Sequence, residues 1–103
     1  MGKKNSKRSA AGGRPQPRSS SRTNLASNLQ LTRTILKLSQ EQLGLRCGLK
    51  RTYIGALERG EMNPGVDNLD RIAAGIGVDS PVLILAPEQA CSILYKALAS
   101  PSM

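Results

Sequence analysis

Residues 39–60, SQEQLGLRCGLKRTYIGALERG, constrain the fold more than any other stretch of this chain. Ser39 is a good helix cap, and Gln42 three positions later completes the pattern of a capping box. Leu43 and Cys47 then lie one turn apart on a single helical face. Gly48 suits the left-handed residue that ends a helix and turns the chain. A second short helix is expected from about Lys50 to Arg59, burying Ile54 and Leu57, with Gly60 stopping it. Lys50, Arg51, Thr52 and Tyr53 crowd its first turn. A short helix with hydrogen-bonding side chains at its start and an apolar back suits insertion of that first turn into a groove. The major groove of DNA is wide enough to admit it.

Helical spacing continues on both sides. Leu25, Leu29 and Leu36 mark one face of a helix from about Thr23 to Lys37, and Arg33 falls on that same apolar face. Asn63-Pro64-Gly65 reads as a loop from its turn chemistry. A helix is expected from about Asp67, with Leu69, Ile72, Ala73 and Ile76 inward and Gly77 closing it. Ser80 as cap and Pro81 at the first helical position can open a short helix, and Pro87 opens another. In that last segment Ala90, Ile93, Leu94, Ala97 and Leu98 form an apolar stripe. Period-two alternation is absent, and Val82 to Ala86 is too short and too close to Pro81 to argue for a strand. The fold class expected is all-α, a compact bundle of five to six helices. Its divisions are a disordered basic tail over 1–22, a helical domain over 23–86 and a C-terminal helical segment over 87–103.

The net charge of +8 divides unevenly along the chain. Residues 1–22 carry Lys3, Lys4, Lys7, Arg8, Arg14, Arg18 and Arg22 with no acid, so the remainder is close to neutral. A Gly-, Ser-, Pro- and Arg-rich tail buries too little apolar surface to offset its ordering entropy and reads as disordered. It is either a solubilising extension or a cationic arm adding non-specific phosphate contacts. Its start, MGKKNS, also matches the loose myristoylation pattern, which is short and common by chance. No apolar run reaches the roughly 20 residues of a membrane span, and no secretory segment precedes the body. With no histidine, and with Cys47 and Cys91 far apart, neither a zinc site nor histidine-based catalysis is expected. The acids lie where helix ends and ion pairs need them, and no Gly-rich phosphate loop is present, so neither an enzyme nor a cofactor is expected.

LSQEQLG at 38–44, GLKRTYI at 48–54, LERGEMNP at 57–64 and LDRIAAGIGV at 69–78 are each weak alone. In this order and spacing they make the chain resemble the Cro/C1-type, or XRE, family of helix-turn-helix DNA-binding proteins. The resemblance covers about Leu25 to Leu85 and implies a lambda-repressor-like bundle whose second and third helices form the DNA-binding unit. It places Gln40 where the family's glutamine contacts phosphate, which agrees with the affinity of helix N-termini for phosphate. Arg51 and Thr52 match base-reading positions. Arg can take guanine O6 and N7 together, and Thr can bond a base or touch a thymine methyl. Lys50 serves phosphate or base equally. Tyr53 either hydrogen-bonds phosphate or packs at the domain edge. Gly55 and Ala56 stand where relatives often carry polar readers, and their small size suggests close approach to the groove. Asn63 suits a backbone contact and a turn equally. Arg33 and Glu58 match a family ion pair, which accounts for the arginine on an apolar face. Gly44 replaces the family's usual alanine, at a cost of about 1 kcal/mol in helix propensity.

The function expected is a sequence-specific transcriptional regulator, phage-repressor-like or restriction–modification controller-like, cytoplasmic and associated with the bacterial nucleoid. A palindromic operator on double-stranded DNA favours a homodimer. The alternative is a protein-interaction module, an antitoxin or a bridging coactivator, that docks a protein partner through the segment after Pro87.

Overall fold

The computed structural model describes residues 20–99, as five α-helices with a 3-10 turn and a terminal π turn, and no strand among the described residues. Most of the basic tail, residues 1–19, lies outside them, as do the myristoylation-like start and residues 100–103. The helices are α1 (Ser20–Leu36), α2 (Gln40–Cys47), α3 (Arg51–Glu58), α4 (Gly65–Ile76) and α5 (Pro87–Leu94). The 3-10 turn Ser80–Ile84 precedes α5, and the π turn Tyr95–Ala99 continues it.

One core joins them. Leu25 and Leu29 of α1, Leu43 and Cys47 of α2, Ile54 and Leu57 of α3, Ile72, Ala73 and Ile76 of α4, and Leu83 form a single buried cluster. Burying side chains of this size stabilises by about 1.5–3 kcal/mol each, and this gain holds together helices too short to persist alone.

Four expected boundaries move, each for a visible reason. Helix α1 begins at Ser20, three residues before the expected Thr23. Ser21 and half-buried Arg22 border a pocket with Leu25, Pro64, Val66, Leu69 and Ile84, so the body offers that first turn a surface to lie on. Lys50 is extended (φ −75°, ψ 150°) and stands outside α3, which starts at Arg51. Helix α4 starts two residues before Asp67, because the Asn63 side-chain oxygen accepts the Gly65 N–H at 3.0 Å and organises the entry. Ser80 does not cap. Its hydroxyl donates to the Asp70 carboxylate, Asp79 takes the cap position without a side-chain bond, and the segment winds as a 3-10 turn.

The apolar run 82–86 is held by side-chain amides, which explains why it needs no sheet partner. Asn28 Nδ2 donates to the carbonyls of Leu83 (2.9 Å) and Leu85 (3.0 Å), and Asn24 Nδ2 to that of Ile84 (3.1 Å). The C-terminal stripe also divides. Ala90 and Leu94 are buried and Leu98 packs against the core, whereas Ile93 and Ala97 face outward.

Candidate nucleic-acid interface

Helix α2 begins on a complete capping box: Ser39 Oγ accepts the Gln42 N–H at 3.0 Å, and Gln42 Oε1 accepts the Ser39 N–H at 2.8 Å. The cap makes Gln40 the first helical residue. Gly48, left-handed at φ 73°, ends the helix, and Leu49 N–H closes back on the Gly44 carbonyl at 2.8 Å. Gly44 has a structural reason. A Cβ there would sit 2.4 Å from the Leu49 carbonyl oxygen, so an alanine could not accept this turn without moving α3 away.

The far end of α3 is fastened by charge. Arg33 reaches from α1 and grips Glu58 with both fork atoms, Nε to Oε2 at 2.6 Å and Nη2 to Oε1 at 2.8 Å. Its remaining Nη1 donates to the Leu38 carbonyl at 3.1 Å, which ties down the link between α1 and α2. Gln40 Nε2 donates to Glu58 Oε1 at 3.0 Å, and Gln30 Nε2 to the Glu58 carbonyl at 2.9 Å. The expected Arg33–Glu58 pair is therefore present, with the Glu58 side chain 4% exposed and that of Arg33 25%. Hydrogen bonding to Glu58 raises the Arg33 pKa against the opposing effect of burial, so the guanidinium stays charged.

With its back locked, α3 shows the other side to solvent. Arg51 and Thr52 on its first turn, and Lys50 just before it, are exposed together. Tyr53 is half-buried, its ring against the core and its hydroxyl accepting from Asn68 Nδ2 at 3.0 Å. That bond leaves the phenol O–H as a donor. A shallow recess runs beside this turn, bordered by Gly48, Lys50, Thr52, Tyr53, Met62 and Asn68. Ala56 is half-buried. Gly55 departs from the expectation of open approach: it is buried, and the Arg59 and Gln40 side chains cover it, with Arg59 Nη1 3.2 Å and Gln40 Oε1 3.5 Å from where its Cβ would be. Asn63 is exposed, its side-chain oxygen committed to the turn at Gly65.

The exposed set is an ammonium, guanidinium groups, a hydroxyl and amides, on one helix start and the loops flanking it. Such a surface donates hydrogen bonds and positive charge, and it matches phosphates and the acceptor-rich edges of base pairs. Among the described residues no group of histidine, cysteine or acid side chains could hold a metal, and no helix is long and apolar enough to cross a membrane. Burial pushes the Cys47 thiol pKa up, against a smaller pull from the Arg46 charge, and its Sγ lies 3.8 Å from the Ile72 carbonyl.

A helix-turn-helix family model matches residues 29–83, and the chain belongs to this helix-turn-helix family. A hypothetical transcription factor of Neisseria meningitidis is 39% identical over 70 residues, covering 68% of this chain and 66% of that protein. Control protein C.BamHI of Bacillus amyloliquefaciens is 43% identical over 47 residues, covering 46% of this chain and 58% of its own length. The crystal structure of the hypothetical transcription factor NHTF from Neisseria superposes with a TM-score of 0.66 at 34% identity, covering 79% of this chain and 93% of that one.

Two contributors escaped the reading of the sequence. Asn68, an ordinary polar residue near the start of α4, positions Tyr53 across the helix gap. Arg59, one residue past α3, folds back over Gly55; the glycine four residues earlier was the available signal.

Proposed function

We propose that this chain acts as a homodimeric regulator that reads a two-fold-symmetric operator through α3. Arg51 and Thr52 read base edges, while Gln40, Lys50 and Tyr53 hold phosphates and set the register. Asn63 has its amide N–H group left for the backbone, and Ala56 lies against the groove wall. The observation that carries this reading is the exposed Arg51–Thr52 turn on a helix whose opposite side is fixed by Ile54, Leu57 and the Glu58 network. Precision of that kind serves direct readout, where a good bidentate pair discriminates bases by about 1–3 kcal/mol.

A second copy has a surface to use. Ile93 and Ala97 border a shallow groove with Ala73, Ala74, Val78 and Val82, with Asp79 on the same lining, and this supports association through α4 and the C-terminal segment. Occupancy of an operator then controls transcription, with dimerisation making the response steep in protein concentration. C.BamHI is named a control protein, and a controller-like role at the nucleoid is the form this reading takes. The competing role, docking of a protein partner through the segment after Pro87, draws on the same exposed Ile93 and Tyr95.

Selection of bound sites from a random duplex pool, at roughly physiological salt where non-specific binding is weak, tests the proposal. Enrichment of a near-palindrome, with half-sites about one helical turn (34 Å) apart, is expected. A folded protein that enriches nothing would shift the function to partner docking.

A further inference from the structure

The Arg33–Glu58 pair uses the inner side of the end of α3. One residue on, Arg59 and Glu61 form a second bidentate pair on the outer side: Arg59 Nε donates to Glu61 Oε2 at 2.8 Å and Nη2 to Oε1 at 3.1 Å. Both side chains stand in solvent, 60% and 47% exposed, so the pair does little for the fold. Its geometry is nevertheless specific. Nη1, which Glu61 does not engage, lies over Gly55 beside the Gln40 amide, both groups within 4 Å of the Cβ position that glycine leaves empty. A flat guanidinium therefore sits next to the side chain that opens α2, on the face that carries Arg51 and Thr52.

We propose that Arg59 is a further phosphate-contact residue, poised beside Gln40, and that Glu61 acts as an anionic latch that competes with DNA for it. The inference rests on the reading of α2–α3 as the DNA-binding face and adds a contact and a brake to it. A guanidinium can hold a phosphate with two parallel N–H bonds. While Glu61 occupies Nε and Nη2, only Nη1 is presented and the net charge offered is nil. Leaving an exposed carboxylate for a phosphate on the duplex is an exchange of like for like, so the latch opens readily when a duplex arrives. Gly55 is what permits the berth: a side chain there would push the Nη1 end away. The latch also tempers attraction to DNA of any sequence and so favours sites at which Arg51 and Thr52 add their own contacts.

The test measures affinity against salt for the wild type, Arg59→Ala, Glu61→Gln and the double variant, on a random-sequence duplex and on the duplex selected by the wild type. Arg59→Ala is expected to weaken binding on both and to lower the slope of log affinity against log salt by about one. Glu61→Gln is expected to strengthen binding on both, and the gain is expected to vanish when Arg59 is already alanine. An unchanged salt slope in Arg59→Ala overturns the phosphate contact. A Glu61→Gln gain that persists without Arg59 is general charge repulsion and overturns the latch. Arg59→Gln, which keeps the stem over Gly55, replaces the alanine variant should the latter lose its fold. Wild-type protein that binds neither duplex overturns both this inference and the reading beneath it; sequence-preferring wild type with a silent Arg59 overturns this inference alone.

Discussion

Two arginine–glutamate pairs flank the last turn of α3, and both are bidentate at nearly the same distances. Arg33–Glu58 faces inward, with one side chain almost wholly covered, and Arg59–Glu61 faces solvent. The difference in surroundings decides what each can do. Removing one member of a covered pair leaves the other without water to solvate it, so the cost falls on folding. In the exposed pair either member can turn to solvent, so little of the cost falls on folding. The same division holds across the whole unit: the inner side of α2–α3 is architecture, and the outer side is a surface of donors.

Arg33→Ala breaks that comparison most severely. Glu58 keeps only the Gln40 amide on its carboxylate, and the variant is expected to lose about 3 kcal/mol in urea unfolding, the lower end for opening a buried pair. A loss below about 1 kcal/mol would mean that the pair is solvated like its outer counterpart. Gly44→Ala comes next. Helix propensity alone would stabilise it by about 1 kcal/mol, but the methyl meets the fixed Leu49 carbonyl, so a net loss of about 1–3 kcal/mol is expected. Gly55→Ala sharpens the contrast, because its methyl meets only the mobile ends of Arg59 and Gln40. That variant is expected to hold or slightly raise the unfolding midpoint while weakening DNA binding. The smallest effect concerns Cys47. Its folded pKa is raised by burial, so the stability it contributes is fully present below the unfolded thiol's value of about 8.5 and is lost as pH rises toward the folded one. Urea midpoints from pH 7 to 9.5 should fall slightly more in the wild type than in Cys47→Ala, and equal slopes would remove the thiol from the account.

Much of this architecture is legible in residue order because local and tertiary signals agree. The capping box at Ser39, the left-handed Gly48 and Gly77, and the inward Ile54, Leu57, Ile72 and Ile76 follow from short-range chemistry and helical spacing. The Arg33–Glu58 pair is legible for a different reason: a charge on an apolar face demands a partner. What stays hidden depends on neighbours remote in sequence. Asn28 reads as a polar interruption of α1 until its amide is found on the carbonyls of Leu83 and Leu85. Gly44 reads as a flaw in α2 until the Leu49 carbonyl appears where its methyl would be. Gly55 reads as an opening, whereas Arg59 and Gln40 fill it. Spacing names a face; it does not say which long side chain folds back across it.

The most direct test of the division between frame and reading surface is Arg51→Ala with Thr52→Ala. Site selection from a random duplex pool and urea unfolding would be carried out on the same preparation. An unchanged unfolding midpoint with loss of the enriched sequence is predicted, while residual salt-dependent binding to any duplex persists. Retention of the wild-type preference by a protein without these two side chains would contradict the account and move sequence reading away from the first turn of α3.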